Sequence, residues 1–272
     1  MNHRTLLRLA LIGFAIAAVL PSLAVIAAPL TGLDIVRMAT QANGGQGWKR
    51  PQTLYLEGRM TMYSSGAADQ QTQVDRYRMW RRFPDQSTAA HSANGKVRFD
   101  ARSGDQVIFQ IAYDGANTYN QDGLLEKNTA AAQWSAAFGF GIIRFADQPG
   151  FTVSRLADDQ VTGDPCYFIK VTDATGSETI FGIDKGSLAV RLVGFDTPRG
   201  WHHRIYSEFA WHDSPKFRQP QRVRLFYDGR KTNDIFWHTF RVNGPVDDAV
   251  FVIDPAKADD ERLSQAAEAT DP

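Results

Sequence analysis

Alternating apolar and polar side chains, repeated along most of the chain, restrict the fold more than any other feature. Between residues 54 and 62, Leu54, Leu56 and Met60 alternate with polar neighbours. A period of two places such a set on one face of a β-strand, so that one face is apolar and the other is wet. Turn dipeptides such as Asp228-Gly229 separate the alternating segments at intervals of roughly ten residues, which is typical of an antiparallel meander.

These segments predict a mainly β protein of about 11 to 13 strands. The principal candidates are residues 54–63, 74–83, 96–101, 106–112, 151–156, 166–172, 178–183, 188–195, 201–212, 222–227 and 235–242. An N-terminal helix and a mid-chain helical insert interrupt the pattern. We therefore expect a curved antiparallel sheet whose apolar face is covered by a helical lid.

The N-terminal helix has a recognisable start and end. Thr31 and Asp34 form a T-x-x-D capping box, in which the threonine hydroxyl and the carboxylate each satisfy a free backbone N–H group. Asn43-Gly44-Gly45 follows, and these residues tolerate the left-handed conformation that often ends a helix. The pattern predicts one helix between these two signals.

The mid-chain insert spans residues 130–146. Trp134, Phe138, Ile142 and Phe145 approximate helical spacing, and the segment is apolar on most sides. Two glycines between Phe138 and Ile142 weaken a continuous helix, so two short helices are an alternative. A segment of this kind is either a buried helix or a lid over an apolar cavity.

The first 27 residues match a secretory signal peptide. Arg4 and Arg8 precede an apolar run that Pro21 interrupts, and small residues follow near Ala27. The alternative is an uncleaved membrane anchor over residues 9–30. We expect cleavage and a periplasmic protein, with residues 28–254 as one domain and residues 255–272 as a flexible acidic tail.

Charge and cysteine content exclude several classes. The 272 residues contain 30 Lys and Arg and 30 Asp and Glu, with no dense basic run, so a nucleic-acid partner is not expected. Cys166 is the one cysteine, so an internal disulfide is impossible and stability has to come from a core. Because Cys166 lies in a strand-like apolar run, we expect it to be buried and inert.

The sequence lacks nucleophile elbows, phosphate loops and H-E-x-x-H metal motifs. A hydrolytic metal site built from His202, His203 and Glu208 is a weaker alternative, because His202 and His203 face opposite ways on a strand. The segment 201–212 is predicted to place Trp201 on an apolar face and His202 and Arg204 on a wet one. The arginines at 76, 78, 81 and 82 are likewise predicted to form a wet strand face.

These observations favour binding over catalysis. An apolar concave face that its own side chains leave unfilled can accept a lipid, because each buried methylene contributes about 0.8 kcal/mol. The predicted cavity or lid residues are Leu54, Leu56, Met60, Met62, Trp134, Phe138, Ile142, Phe145, Phe236 and Phe240. No catalytic residue, metal or cofactor is predicted.

Several short motifs also occur in an order shared with a known family. They are Ala39-Thr40-Gln41-Ala42-Asn43-Gly44-Gly45, Trp48, Leu54-Tyr55-Leu56-Glu57-Gly58, Ala112-Tyr113-Asp114-Gly115, Phe181-Gly182-Ile183-Asp184, Val242-Asn243-Gly244 and Asp247-Asp248-Ala249-Val250-Phe251. In these motifs the chain resembles outer-membrane lipoprotein-sorting (LolA/LolB-like) proteins. The resemblance implies an unclosed antiparallel β-barrel (a half-barrel) with helices across its open side, and a periplasmic, non-enzymatic carrier of lipid or lipoprotein acyl chains.

The same fold also serves as a sensor, so fold alone does not determine function. The alternative function is therefore a periplasmic sensor or assembly module that acts through contacts with a membrane-protein partner. The chain is expected to be a monomer under the carrier hypothesis. The segment 200–212, rich in Trp and His, has no counterpart in the family pattern, so no family site residue is transferred to it.

Overall fold

The computed structural model describes residues 29–64, 70–87, 95–137 and 142–257. Within these ranges, fourteen strands form one antiparallel sheet, accompanied by two α-helices and four 3-10 helices. The strands are β1 (Thr53–Tyr63), β2 (Gln71–Arg82), β3 (Lys96–Ser103), β4 (Gln106–Tyr113), β5 (Thr118–Asn120), β6 (Gly123–Leu124), β7 (Thr152–Arg155), β8 (Asp159–Val161), β9 (Asp164–Thr172), β10 (Glu178–Asp184), β11 (Val190–Thr197), β12 (Gly200–Asp213), β13 (Lys216–Tyr227) and β14 (Arg230–Val242). The helices are α1 (Gly32–Ala42) and α2 (Gln46–Lys49), and the 3-10 helices are Ala132–Ala137, Ile142–Phe145, Asp248–Phe251 and Pro255–Lys257.

The mainly β, half-barrel prediction is confirmed. The strand order is β6-β5-β4-β3-β2-β1-β14-β13-β12-β11-β10-β9-β7, with β8 also paired to β9, so the sheet does not close. The pairing of β1 with β14 joins the two halves of the chain in the middle of the sheet. Because β6 and β7 lie at opposite ends of this order, the insert between them has to pass from one half of the sheet to the other.

The N-terminal capping box is confirmed. The Asp34 backbone N–H donates to Thr31 Oγ1 at 3.2 Å, and the Thr31 backbone N–H donates to the Asp34 carboxylate at 3.1 Å. Ile35, Val36 and Ala39 are buried, and Asn43 Nδ2 donates to the Leu188 carbonyl at 2.8 Å. The helix is therefore held against the second half of the sheet.

A bulge in β14 changes which side chains face the concave side. Gly58 pairs with Trp237 and Leu56 pairs with Phe240, so His238 is an extra residue on β14. A Cβ at position 58 would lie only 2.0 Å from the Phe236 carbonyl oxygen, so this close approach requires glycine. The bulge places both Trp237 and Phe240 on the inner side, although their separation in sequence is odd.

Within the described residues, the insert forms two short 3-10 helices, as the alternative prediction of two short helices had it. Phe138 lies outside those residues. Ile142 and Phe145 are buried in the main core, at 4% and 5% exposure. The second short helix therefore packs into the core on the concave side.

A second, smaller core lies on the convex side of the sheet. Tyr55 and Trp80 pack there against Val250 and Phe251 of the helix Asp248–Phe251. This 3-10 helix follows the last strand of the sheet and begins after the N-cap Asp247. Part of the convex face is thus shielded from solvent, and this part includes positions on β2.

Two β2 arginines predicted to be wet are in fact buried. Arg78 lies on the convex side and forms an ion pair with Asp100, which is fully buried and also accepts a hydrogen bond from Gln110 Nε2 at 2.9 Å. Arg81 lies on the concave side at 2% exposure. The prediction was wrong because both faces of β2 are covered by other elements.

Cys166 is fully buried, as predicted. Burial raises the pKa of its thiol, with the Asp184 carboxylate adding to the effect. Among the described residues, no helix is long and apolar enough to cross a membrane.

Candidate ligand cavity

A cavity of about 940 Å³ opens on the concave side of the sheet. Its walls come from β1 to β4, β11 to β14 and the start of the insert. The lining residues are Leu56, Met60, Met62, Tyr63, Tyr77, Met79, Phe99, Phe109, Ile111, Ala130, Ala131, Gln133, Trp134, Asp196, Thr197, Pro198, Arg199, His202, Arg204, Val223, Leu225, Tyr227, Thr232, Asn233, Ile235 and Trp237. The volume falls within the range usual for small-molecule sites.

Aromatic rings build the apolar part of the wall. Tyr77 stacks between Phe99 and Trp237, with ring centroids 5.6 and 5.0 Å apart. Trp134 meets Phe99 edge-on at 5.9 Å, so the first short helix of the insert continues the wall formed by the sheet. Methionines at 60, 62 and 79 complete a surface that can adapt to a flexible apolar ligand.

Four of the ten predicted site residues line this cavity: Leu56, Met60, Met62 and Trp134. Leu54, Ile142, Phe145 and Phe240 belong to the surrounding core and do not line it. The structure therefore brings the β1 prediction and the start of the insert together around one space, while the end of the insert packs elsewhere.

Phe236 was assigned to the wrong face. Its ring lies under the guanidinium of Arg59, 4.9 Å from the ring centroid, and both residues are on the convex side. The assignment assumed that Phe236 and Phe240 share a face because their numbers differ by an even amount. The extra residue at His238 breaks that relation.

The apolar and aromatic cavity residues that were not predicted lie mainly on β2, β3, β4, β13 and β14. Phe99, between Val97 and Ala101, follows the same period-two pattern that identified β1. Leu225 and Val223 alternate in the same way on β13. Alternation alone could have identified these positions, but it does not tell which strands surround the unfilled part of the interior.

The polar end of the cavity comes from β12 and the turn before it. His202 is 1% exposed, and its Nε2 accepts a hydrogen bond from Arg204 Nε at 2.9 Å. Trp201 instead faces the convex side, where its ring lies over Gly194 and would be 2.5 Å from a Cβ at that position. The predicted faces of β12 were thus reversed, and His202 and Arg204 face inward.

Burial keeps His202 neutral. Desolvation, followed by the positive charge of Arg204, lowers the pKa of His202 to about 2. Its ring is enclosed by aromatic neighbours, with the Phe195 centroid at 5.2 Å and the Tyr227 centroid at 4.5 Å. A neutral imidazole can accept the Arg204 hydrogen bond, whereas an imidazolium cannot.

Two further arginines lie behind this polar end. Tyr206 is hydrogen-bonded to Arg204 and lies in the electrostatic reach of Arg81 and Arg144. Burial and then the charges of Arg144 and Arg204 lower the pKa of Arg81, and burial lowers the pKa of Arg144 to about 10. Positive charge is therefore concentrated around Tyr206.

Aromatic faces stabilise the charge of Arg144. Its guanidinium lies 4.6 Å from the ring centroid of Trp48 and 5.3 Å from that of Phe217. This arrangement explains how the second short helix of the insert can bury an arginine in an apolar core. The same helix consequently places a positive charge within electrostatic reach of Tyr206.

The residues of the alternative metal site do not converge. His203 faces away from the cavity and stacks on Phe226, with ring centroids 4.7 Å apart, while His202 faces into it. In the part of the chain that the structure describes, no group of three or more His, Cys, Asp or Glu side chains is arranged to bind a metal ion.

Comparison with known proteins gives likeness of fold alone. No family model matches the chain, and no curated protein matches its sequence. A LolA superfamily protein from Nitrosomonas europaea superposes with a TM-score of 0.50 at 9% identity, covering 82% of this chain and 98% of the other.

Two further solved structures match over a similar extent. A DUF1329 family protein from Desulfovibrio piger has a TM-score of 0.48 at 15% identity, and a domain described as outer-membrane lipoprotein-sorting, from Vibrio parahaemolyticus, has 0.47 at 11%. Each alignment covers 81% of this chain and 95% of the other. The fold expected from the sequence motifs is confirmed by the likeness to the Nitrosomonas europaea protein, which extends over most of both chains.

Proposed function

We propose that this chain binds lipid or lipoprotein acyl chains in its concave cavity and carries them without catalysis. The observation that supports the proposal is the cavity itself, about 940 Å³ with a largely aromatic and aliphatic wall. Water in contact with such a wall is unfavourable, and an acyl chain replaces it at about 0.8 kcal/mol per methylene. The binding free energy then comes from burial and requires no reactive group.

The strand arrangement is suited to this role. The unclosed sheet leaves an entrance for a long ligand, whereas a closed barrel of similar size would restrict entry to its ends. Trp134 continues the wall on the side where the insert passes. A ligand in the cavity would therefore contact both the sheet and the first short helix of the insert.

We further propose that the chain acts in the periplasm as a monomer. The proposal depends on the signal-peptide pattern of residues 1–27, which lie outside the described residues. In an aqueous compartment between two membranes, acyl chains need a protein that shields them from water. The chain has no net charge, so we do not expect a nucleic-acid partner.

The direct test is native mass spectrometry of protein purified from the periplasm without detergent. We expect a fraction of molecules to carry extra mass that solvent extraction identifies as acyl lipid or acylated peptide. Ligand-free mass in repeated preparations, together with no uptake of added lipid, would contradict the proposal.

The alternative function, a sensor or assembly module, has one supporting observation. Trp211 is 43% exposed near the end of β12, with the Arg218 guanidinium 4.7 Å from its ring centroid. Exposed aromatic and arginine side chains are common at protein interfaces. Recovery of one membrane protein in a pull-down, unaffected by lipid and lost in Trp211→Ser, would favour this alternative over the carrier.

A further inference from the structure

The cavity is chemically different at its two ends. Aromatic and aliphatic side chains predominate on β1 to β4, whereas Arg199, His202 and Arg204 come from β12 and the turn before it, where His202 pairs with Tyr227 of β13. Arg204 is half-buried on the wall, and its orientation is set by the hydrogen bond to His202 on one side and by Tyr206 on the other. This end presents a positioned cation to the interior of the cavity.

The charge at the polar end is positive. Among the lining residues in the described part of the chain, Arg199 and Arg204 are cationic and Asp196 is the one acid. Asp196 and Arg199 are both exposed at the rim, where solvent weakens their fields. Arg204 lies deeper, and the buried Arg81 and Arg144 add to the positive potential behind it.

Because the imidazole of His202 is neutral, its hydrogen bond orients the Arg204 guanidinium without cancelling the positive charge. An imidazole acceptor positions the guanidinium through Nε, while a carboxylate in the same place would neutralise it. His202 is in this sense a positioning residue. The enclosing rings of Phe195 and Tyr227 limit the movement of His202.

We propose that this polar end binds an anionic head group, a phosphate or a carboxylate, of an amphiphile whose acyl chain occupies the apolar end. The inference rests on the proposed lipid-binding function and specifies the ligand class. A guanidinium in a partly desolvated site forms strong charge-assisted hydrogen bonds with such groups. Neutral lipids would gain only the contribution of the acyl chain.

The test compares two ligands that share the same acyl chain and glycerol unit and differ in the phosphate group. Lipid-free protein is titrated calorimetrically at low ionic strength with 1-lauroylglycerol 3-phosphate and with 1-lauroylglycerol, both kept below their micelle concentrations. We expect the phosphate compound to bind about tenfold more tightly, as one charge-assisted hydrogen bond predicts. Equal affinities for the two ligands would overturn the head-group inference and leave the proposed function intact.

Variants assign the preference to Arg204. Arg204→Gln should reduce the ratio of the two affinities to about twofold or less, and Arg204→Lys should retain a substantial part of the preference. Arg59→Gln is the matched control, because it removes the same charge from the exposed convex face and should retain the full preference. Loss of the preference in Arg59→Gln as well would show a non-specific charge effect and overturn the assignment.

Two further results distinguish a site for free anions from a failure of the proposed lipid binding. Inorganic phosphate alone should compete poorly, because it lacks the acyl chain; competition at the concentration of the lauroyl phosphate would show a free-anion site and overturn the proposal. Failure of both lauroyl ligands to bind would instead contradict the proposed function. If Arg204→Gln does not fold, the two lauroyl ligands can still be compared on the wild type at low and at high salt. The preference for the phosphate compound should be lost at high salt.

Discussion

Arg204 Nε donates a hydrogen bond to His202 Nε2 at 2.9 Å, which joins a positioned cation to a buried, neutral imidazole on the inner face of β12. The pair links the stability of the fold to the polarity of the cavity. Burial and the Arg204 charge both oppose protonation of His202.

Acid should destabilise the protein through His202. Its pKa is lowered to about 2 in the folded state, whereas the unfolded state takes up a proton near pH 6.5. The unfolded state therefore binds more protons below pH 6.5, and the contribution to stability is present above that pH and lost as the pH falls. Between pH 7.5 and pH 5.5, the free energy of unfolding should decrease by about 1.4 kcal/mol through this residue.

Urea denaturation of the wild type and of His202→Gln at the two pH values measures this effect. Glutamine can accept the Arg204 hydrogen bond but does not titrate. The variant should lose about 1.4 kcal/mol of the pH dependence. An identical pH dependence in the two proteins would mean that His202 is accessible to protons in the folded state.

The buried pair Arg78–Asp100 should stabilise the fold without affecting ligand binding. Asp100→Ala leaves the buried Arg78 guanidinium without its carboxylate, and we expect a loss of about 3 kcal/mol. Asp248→Ala is the matched control, since Asp248 forms exposed ion pairs with Arg82 and Lys96 and its loss should cost less than about 1 kcal/mol. Similar losses in the two variants, measured by urea denaturation, would contradict this account of the convex face.

The two halves of the insert should respond differently to substitution. Ile142 is 4% exposed in the main core, so Ile142→Asp buries a charge and should cost more than about 4 kcal/mol. Trp134 is half-buried on the cavity wall, so Trp134→Ser should leave the protein folded and weaken lipid binding. Circular dichroism and lipid titration distinguish the outcomes. A folded Ile142→Asp that only loses ligand would show that the second short helix is a cover after all.

The Cys166 thiol should be unreactive in the native protein. It is fully buried, and burial raises its pKa, so little thiolate is available for attack. Ellman's reagent at pH 8 should detect about one thiol per chain in urea and almost none without it. Rapid labelling of the folded protein would indicate that the β9 region opens locally.

The sequence predicted the elements better than it predicted their inner faces. Alternation at Leu54, Leu56 and Met60 located β1 correctly, and the Thr31 box located the start of α1. Both signals are local, because they depend on backbone geometry within a few residues. The half-barrel itself was identified through the order of short motifs and is supported by the strand order.

The errors came from information that is not local. On β12 both faces carry aromatic residues, so alternation separated Trp201 from His202 but gave no means to decide which side is concave. On β14 the extra residue at His238 reversed the alternation without a sequence signal. The burial of Arg78 depends on Asp100, a distant residue whose position only the folded sheet determines.

The central claim is that the concave cavity binds acyl chains, and a titration with a fluorescent fatty acid tests it most directly. The measurement compares lipid-free wild type with Met62→Asp, which charges the cavity wall, and Phe236→Asp, which places the same charge on the convex face. We predict saturable binding by the wild type and by Phe236→Asp, and at least about tenfold weaker binding by Met62→Asp. Absence of binding by the folded wild type, or equal affinities in all three proteins, would contradict the claim.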